Sequence, residues 1–249
     1  MRENVIALVE AAAETFALEP PIYEFGSYLV EDQSGLGDLR PLFSGKEFVG
    51  CDFRAGPGVD RIEDLARLSL GDASARTILC LETLEHVFEV KRGVEEMLRI
   101  LAPGGTILIS APFEFRIHAY PGDYWRITPS CLDRLLEPLD AAITGSQGLE
   151  SSPHTVFALG FRAPLPARFR EAARAFEEGF ETRLRECALR TPWQKRLKAG
   201  LLGWMRSKGE RRRQSDHFRA RFQVRIAEVP LDAGRQGPSP ALGPGAEIM

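Results

Sequence analysis

The sequence predicts an α/β fold built on a mostly parallel sheet. Three observations carry that expectation. Between residues 20 and 163, short runs rich in Val, Ile, Leu and Phe alternate with segments of helical periodicity. Those short runs are mostly apolar rather than alternating, as strands buried on both faces are. Proline and glycine clusters punctuate the segments at intervals that suit strand–helix–strand crossovers.

The elements follow in order. Val5, Leu8, Val9, Ala12 and Phe16 share one helical face, which predicts a helix over residues 2–18 that Glu19-Pro20-Pro21 stops. IYEF (22–25), EFVGCDF (47–53) and TILCLE (77–82) read as strands, with a shorter one near VDRIEDL (59–65) and a helix beginning near Asp38. Val87, Val90, Val94, Leu98 and Leu101 mark one face of a helix that ends at Ala102-Pro103-Gly104-Gly105. TILISAP (106–112) is the next strand. Thr128-Pro129 supplies an N-cap and a first-turn proline for a helix through about Leu136. AAITGSQGL (141–149) and HTVFALGFR (154–162) form a closing pair of strands.

After Ala163 the character changes. Phe169, Ala173, Phe176, Phe180, Leu184 and Cys187 trace an amphipathic helix, and TPWQKRLKAGLLGWMRS (191–207) predicts another, capped by Thr191. ERRR (210–213) follows, then RFQVRIAEV (221–229), whose alternation reads as a strand. The Gly/Pro-rich stretch from Pro230 onward is expected to be disordered. The expected division is a domain over residues 1–163, a basic and mainly helical extension over 164–229, and a tail over 230–249.

With 249 residues, 44% of them hydrophobic and 27% charged, the chain can bury a sizeable core. Glu3, Glu10 and Glu14 interrupt any signal-peptide apolar region, and no apolar run approaches the length of a membrane span. Cys51, Cys80, Cys131 and Cys187 stand far apart without a CxxC pair, which speaks against a zinc ribbon or a disulfide scaffold. Four buried, reduced thiols in a cytoplasmic protein are expected. Residues 162–228 hold 18 of the 32 Lys and Arg but only 8 of the 35 Asp and Glu, so an acidic body carries a basic appendage.

In an open α/β sheet, ligands bind outside the carboxyl ends of the strands, near the reversal of strand order. Those ends carry Glu24-Phe25-Gly26-Ser27, Cys51-Asp52, Asp64-Leu65 and Leu81-Glu82-Thr83. An acidic residue ending the second strand suits a ribose, since a carboxylate accepts from both hydroxyls. Gly26 permits a close backbone approach, Asp64 is placed to accept from an adenine amino group, and Leu65 to pack on the ring. Each residue alone is also an ordinary turn or packing residue; the series in order is the signal.

ILCLETLEHV (78–87) followed by EEMLRILAPGGTILISAP (95–112) resembles the second half of a class I S-adenosylmethionine-dependent methyltransferase. In that family a strand runs into an (L/E)HV-type helix start, and the helix ends in an R-x-L-x-P-G-G turn. The resemblance covers about residues 20–163. It implies a Rossmann-like, doubly wound sheet whose last strand, HTVFALGFR, is antiparallel, with S-adenosyl-L-methionine as cofactor. By the same resemblance Glu24, Gly26 and Ser27 face the methionine part. Asp52 takes the ribose, Asp64 and Leu65 the adenine, and Leu81 and Glu82 line the near side. The family's E/D-x-G-x-G-x-G turn is here EFGSYLV (24–30), so a longer loop containing Gly35 and Gly37 is expected to replace the tight turn. A nicotinamide dinucleotide fits worse. It wants G-x-G-x-x-G for its pyrophosphate, whereas a sulfonium tolerates the acidic series Glu24, Asp52, Asp64 and Glu82.

FEFRIHAYPGDYWRITP (113–129) follows the fifth strand over the expected mouth. It reads either as an acceptor-binding loop, with Tyr120, Tyr124, Trp125 and Arg126 on a small-molecule substrate, or as a packed loop that anchors the next helix. His118 and Asp123 are the candidate general bases, His118 favoured because its unperturbed pKa is nearest neutrality. His86 is expected to be structural, and no catalytic metal is expected. The basic appendage reads as a helical lid over the acceptor site, a homodimer surface or a membrane-surface helix, with packing on its own domain first. A membrane-surface helix is the next reading, and nucleic-acid binding the most remote. The activity implied is methyl transfer to a hydroxyl of a sugar or secondary metabolite. The alternative is a methyltransferase-like domain that has lost catalysis and serves as a binding partner.

Overall fold

A computed structural model describes residues 2–30, 37–118, 122–190 and 219–227. Helix α1 (Glu3–Thr15) leads into strands β1 (Ile22–Phe25), β2 (Phe48–Asp52), β3 (Arg61–Ile62) and β4 (Ala75–Leu81). Helix α2 (Val90–Ile100), strand β5 (Leu101–Pro112) and helix α3 (Pro129–Leu135) follow. Strands β6 (Ala141–Leu149) and β7 (Ser152–Phe161), helix α4 (Phe169–Arg190) and strand β8 (Ala220–Ile226) complete the described chain.

The described strands form one sheet in the order β3-β2-β1-β4-β5-β7-β6-β8. Pairings from β3 through β5 are parallel, whereas β7 runs antiparallel to both β5 and β6, as expected for HTVFALGFR. From β1 the chain first builds outward through β2 to β3, then returns to lay β4 on the other side of β1. The strand order therefore reverses between β1 and β4, and the carboxyl ends of those two strands frame a crevice.

The sheet is covered on both faces, which makes it doubly wound. Alternate residues of one strand face opposite layers, so Leu79 and Leu81 of β4 join the α1–α4 core while Ile78 and Cys80 join the α2–α3 core. At the end of α2 the chain leaves the helix at Ile100 and runs on in extended form. The register between β4 and β5 shifts between Ala75↔Leu101 and Thr77↔Thr106, so Pro103-Gly104-Gly105 bulges out of the ladder. Gly104 has φ +69°, the left-handed conformation that such a bulge requires. Thr128 caps α3, its hydroxyl accepting from the Cys131 N–H at 3.1 Å.

Three features differ from expectation. The helix expected to begin near Asp38 is a single 3-10 turn, Arg40–Phe43, whose Phe43 buries against Phe48. Of the four cysteines expected to be buried, Cys51 and Cys80 are. Cys131 lies on the outer side of the short α3, and Cys187 is half-buried. Finally, segments assigned to the extension are built into the body of the fold. Phe169, Ala173, Phe176, Phe180 and Leu184 of α4 are buried against α1 and the sheet, and β8 extends the sheet beyond β6. Phe222 of β8 meets the rings of Phe157, Phe176 and Phe180 at 5.6, 6.0 and 6.3 Å. The helix expected over 191–207, the ERRR run and the tail from Pro230 lie outside the described residues.

Candidate functional site

A cavity of about 990 Å³ opens at the carboxyl ends of β1, β2, β4 and β5, across the reversal of strand order. Its floor begins at Gly26, where β1 ends with φ +87°. A Cβ there would overlap the Thr83 hydroxyl, which is itself held by the carbonyls of Leu81 and Phe25 at 2.9 and 3.1 Å. Glycine is required here on both counts. The N–H groups of Gly26 and Ser27 both donate to the Cys51 carbonyl, at 2.8 and 3.1 Å, so the turn is tied to β2. Instead of entering a helix, the chain continues across the tip of β2, with the Leu29 N–H donating to Pro57. Gly35 lies outside the described residues; Gly37 lines the cavity. Ser27 is buried, and its hydroxyl has no partner.

Asp52 lies at the end of β2 and lines the cavity. One carboxylate oxygen accepts from the Arg54 N–H at 3.1 Å, and the other receives the Tyr28 N–H at 3.4 Å. The Arg54 guanidinium lies over the Tyr28 ring at 4.4 Å and 3.8 Å from the Asp52 carboxylate. Asp64 caps the next turn through the Ala66 N–H at 3.0 Å, while Leu65 is buried against Gly93 of α2; both line the cavity. Leu81 and Glu82 line it from β4. Glu82 has φ +52° and pairs with Arg2, whose guanidinium also meets His154 at 2.7 Å and lies 5.5 Å from the Phe115 ring.

Glu24 behaves differently. It is buried within β1 behind the cavity rather than in its wall, and burial pushes its carboxyl up to about 8, with Arg40 opposing and Asp38 adding to the rise. The acidic series is thus less negative than counting residues suggests. Arg2 compensates Glu82, Arg54 stands beside Asp52, and Glu24 is neutral near pH 7.

Glu85, His86, Phe115 and His118 also line the cavity. The 3-10 turn Leu84–His86, directly after β4, sets Glu85 into the interior, 1% exposed, with Oε2 unpartnered. Desolvation first, then the Glu82 charge, raises its carboxyl to about 8. The His86 and His118 rings meet edge to face, 4.9 Å between centroids. Asp123, the other candidate base, has both oxygens taken. It accepts a fork from Arg126, one arm at 2.8 Å, together with the His118 N–H at 2.9 Å, and its Oδ2 lies 3.2 Å from His118 Nδ1. The Arg126 hydrogen bonds hold the Asp123 carboxyl well below the usual carboxylate range, so it orients His118 and is no base itself.

Among the residues expected on the acceptor, Tyr124 and Trp125 are exposed beside Phe88, outside the cavity wall. The Trp125 indole donates to the Val87 carbonyl at 3.0 Å, which anchors the loop. Arg126 is engaged by Asp123, and Tyr120 lies outside the described residues. Sequence reasoning did not single out Arg2, Arg54, Glu85 or Phe115. Arg2 reaches the cavity only because α1 packs along the sheet, which no local signal reports. Glu85 was visible within LEH, but its burial was not.

A sequence family described as "Methyltransferase domain" matches residues 44–109. A curated relative, a probable S-adenosylmethionine-dependent methyltransferase from Mycolicibacterium smegmatis, is 40% identical over 57 residues; that stretch is 22% of this chain and 22% of the relative. Solved structures that align include an S-adenosylmethionine-dependent methyltransferase from Thermotoga maritima, described as a possible histamine N-methyltransferase. It aligns at 15% identity and TM-score 0.45, covering 64% of this chain and 91% of that one. A Burkholderia thailandensis 1,6-didemethyltoxoflavin-N1-methyltransferase, solved with its substrate and S-adenosylhomocysteine, aligns at 18% identity and TM-score 0.45, over 63% and 78%. The family match spans β2 through most of β5, a segment that supplies Asp52, Asp64, Leu65, Leu81 and Glu82 to the cavity, so this part of the chain carries the pattern of a methyltransferase domain.

Proposed function

We propose that the protein is an S-adenosylmethionine-dependent methyltransferase acting on a small-molecule acceptor, at a hydroxyl group of a sugar or secondary metabolite. The observation that carries this reading is the wall at the strand reversal, where Gly26 leaves its backbone open and Asp52 ends the adjacent strand. The residues present fit the cofactor. Gly26 and Ser27 would border the methionine end, the Asp52 carboxylate would accept from the ribose hydroxyls, and Asp64 with Leu65, which also line the cavity, would border the adenine. When bound, S-adenosylmethionine supplies a methyl group activated by a positive sulfonium.

The chain's own residues supply alignment and proton control. Alignment of donor and acceptor in one cavity is worth about 7–11 kcal/mol of barrier. Phe115 and His118 also line the cavity and would face the acceptor, while Asp123 holds the His118 backbone N–H and the Arg116 carbonyl meets the ring at Nδ1. That leaves Nε2 to take the hydroxyl proton, a contribution of about 10² to 10⁴ in rate. The membrane-surface or self-association role of the basic residues 191–213 remains a separate proposal, since that segment lies outside the described residues. No helix among the described residues is long and apolar enough to cross a membrane.

Calorimetric titration with S-adenosylhomocysteine, beside NAD as control, tests the reading. Saturable micromolar binding of the first alone is expected. Asp52→Ala removes hydrogen bonds to a charged group, about 1.5–3 kcal/mol, and should weaken that binding roughly ten- to a hundredfold. Asp52→Asn keeps the shape of the turn and should show a smaller loss in the same direction. Failure of the wild-type chain to bind S-adenosylhomocysteine would overturn the reading and leave a binding or scaffolding role as the better account.

A further inference from the structure

We propose that Glu85, His86 and His118 form a site for a first-row divalent metal ion in the wall of the same cavity. One ligand atom from each of the three lies within 4.8 Å of the others. Ligands about 2.0–2.2 Å from an ion stand about 3–4 Å apart, so closure by roughly an ångström completes the set.

Two independent features of the side chains point the same way. Glu85 is 1% exposed, and its Oε2 has no partner although it lines the cavity. A buried carboxyl oxygen without a partner costs about 1–3 kcal/mol whichever protonation state it adopts, and a bound cation removes that cost. The imidazoles are also set for ligation. His86 Nδ1 faces the Gly122 carbonyl, which can only accept, so that nitrogen carries the proton and Nε2 keeps its lone pair. Nε2 of His86 lies 3.7 Å from Glu85 Oε1. His118 Nδ1 likewise faces two acceptors, the Asp123 carboxylate at 3.2 Å and the Arg116 carbonyl at 3.3 Å, which frees its Nε2. Metal-binding histidines are held by this device, the outer nitrogen donating to a carboxylate or carbonyl.

Two imidazoles and one carboxylate select zinc or cobalt over manganese, magnesium or calcium, whose preferred ligands are oxygens. Three protein ligands leave positions open toward the cavity. Resting on the methyl-transfer reading, this site would favour an acceptor that presents an oxygen donor, with the ion, rather than His118, in contact with it. The sequence offered no such expectation, because Glu85 and His86 are 33 and 32 positions from His118 and meet it only through the loop after β5.

The test titrates the untagged, chelator-dialysed full-length chain with ZnCl₂, with MnCl₂ and MgCl₂ as controls, and follows the visible absorption of a CoCl₂ complex. S-adenosylhomocysteine binding is measured in parallel. One ion per chain with micromolar or tighter affinity is expected for zinc and cobalt. Glu85→Gln and His86→Ala should abolish it, and Asp123→Asn, which touches His118 and Arg126 but no ligand atom of the ion, should weaken it roughly 10–100-fold. The Glu85→Gln chain should still bind S-adenosylhomocysteine. Binding of zinc only at millimolar concentration, or equally tight binding in Glu85→Gln and His86→Ala, would overturn the site. If S-adenosylhomocysteine binds while the metal result fails, the methyltransferase reading survives without the ion. If the metal binds as expected and S-adenosylhomocysteine does not, the site stands and the reading of function falls.

Discussion

Glu24→Gln is the sharpest probe of how this fold stores charge. The carboxyl is buried in β1 with a pKa of about 8, against an ordinary value of 4.5. Because the folded value is raised, the contribution to stability is fully present below pH about 4.5 and is lost as pH rises toward 8. The shift of about 3.5 units corresponds to on the order of 5 kcal/mol once the group must ionise in the fold. Glutamine is nearly isosteric and never ionises, so it escapes this loss. Urea unfolding of wild type and variant at pH 5 and pH 8 reads the difference directly. The variant should gain about 3 kcal/mol on wild type between the two conditions, with little change in the dependence on urea. An equal stability difference at both pH values would refute the reasoning, for Glu24 would then be an ordinary ionised carboxylate. That result would also restore its negative charge to the floor behind Gly26.

Gly26→Ala places a Cβ against the fixed Thr83 hydroxyl at φ +87°. The left-handed conformation costs about 1–2 kcal/mol and the overlap about 1–3 more. A lowered melting temperature together with weakened S-adenosylhomocysteine binding is expected; wild-type values of both would show that the turn has room to spare. Phe176→Ala empties a fully buried position between α4, Phe16 and Phe222 and should cost about 3–5 kcal/mol. The loss should appear in a single cooperative transition, whereas a separate early transition would mean that α4 and β8 form their own unit.

Strand and helix positions were legible because they rest on local physics. TILISAP is largely apolar on both faces, Thr128-Pro129 caps and starts a helix by itself, and PGG cannot continue one. The Asp52 position was legible for the same reason, since the end of a strand can be located from its own residues. Three-dimensional neighbours were not. The division at residue 164 came from composition, yet Phe176 and Phe180 of α4 meet Phe222 of β8, and β8 pairs with β6 in the same sheet.

Sequence alone, then, determined the α/β alternation and the acidic residue at the end of β2, while the reversal of strand order between β1 and β4 belongs to the folded sheet. Tertiary structure alone decided which charges survive in the crevice there. Burial neutralises Glu24, Arg2 crosses from the N-terminus to Glu82, and Asp123 spends its charge on Arg126. It also decided that Glu85, His86 and His118 share one wall. The physical reason is that periodicity and capping act over a few residues, whereas desolvation and Coulomb interactions depend on distance in space, which the chain sets only when the sheet closes.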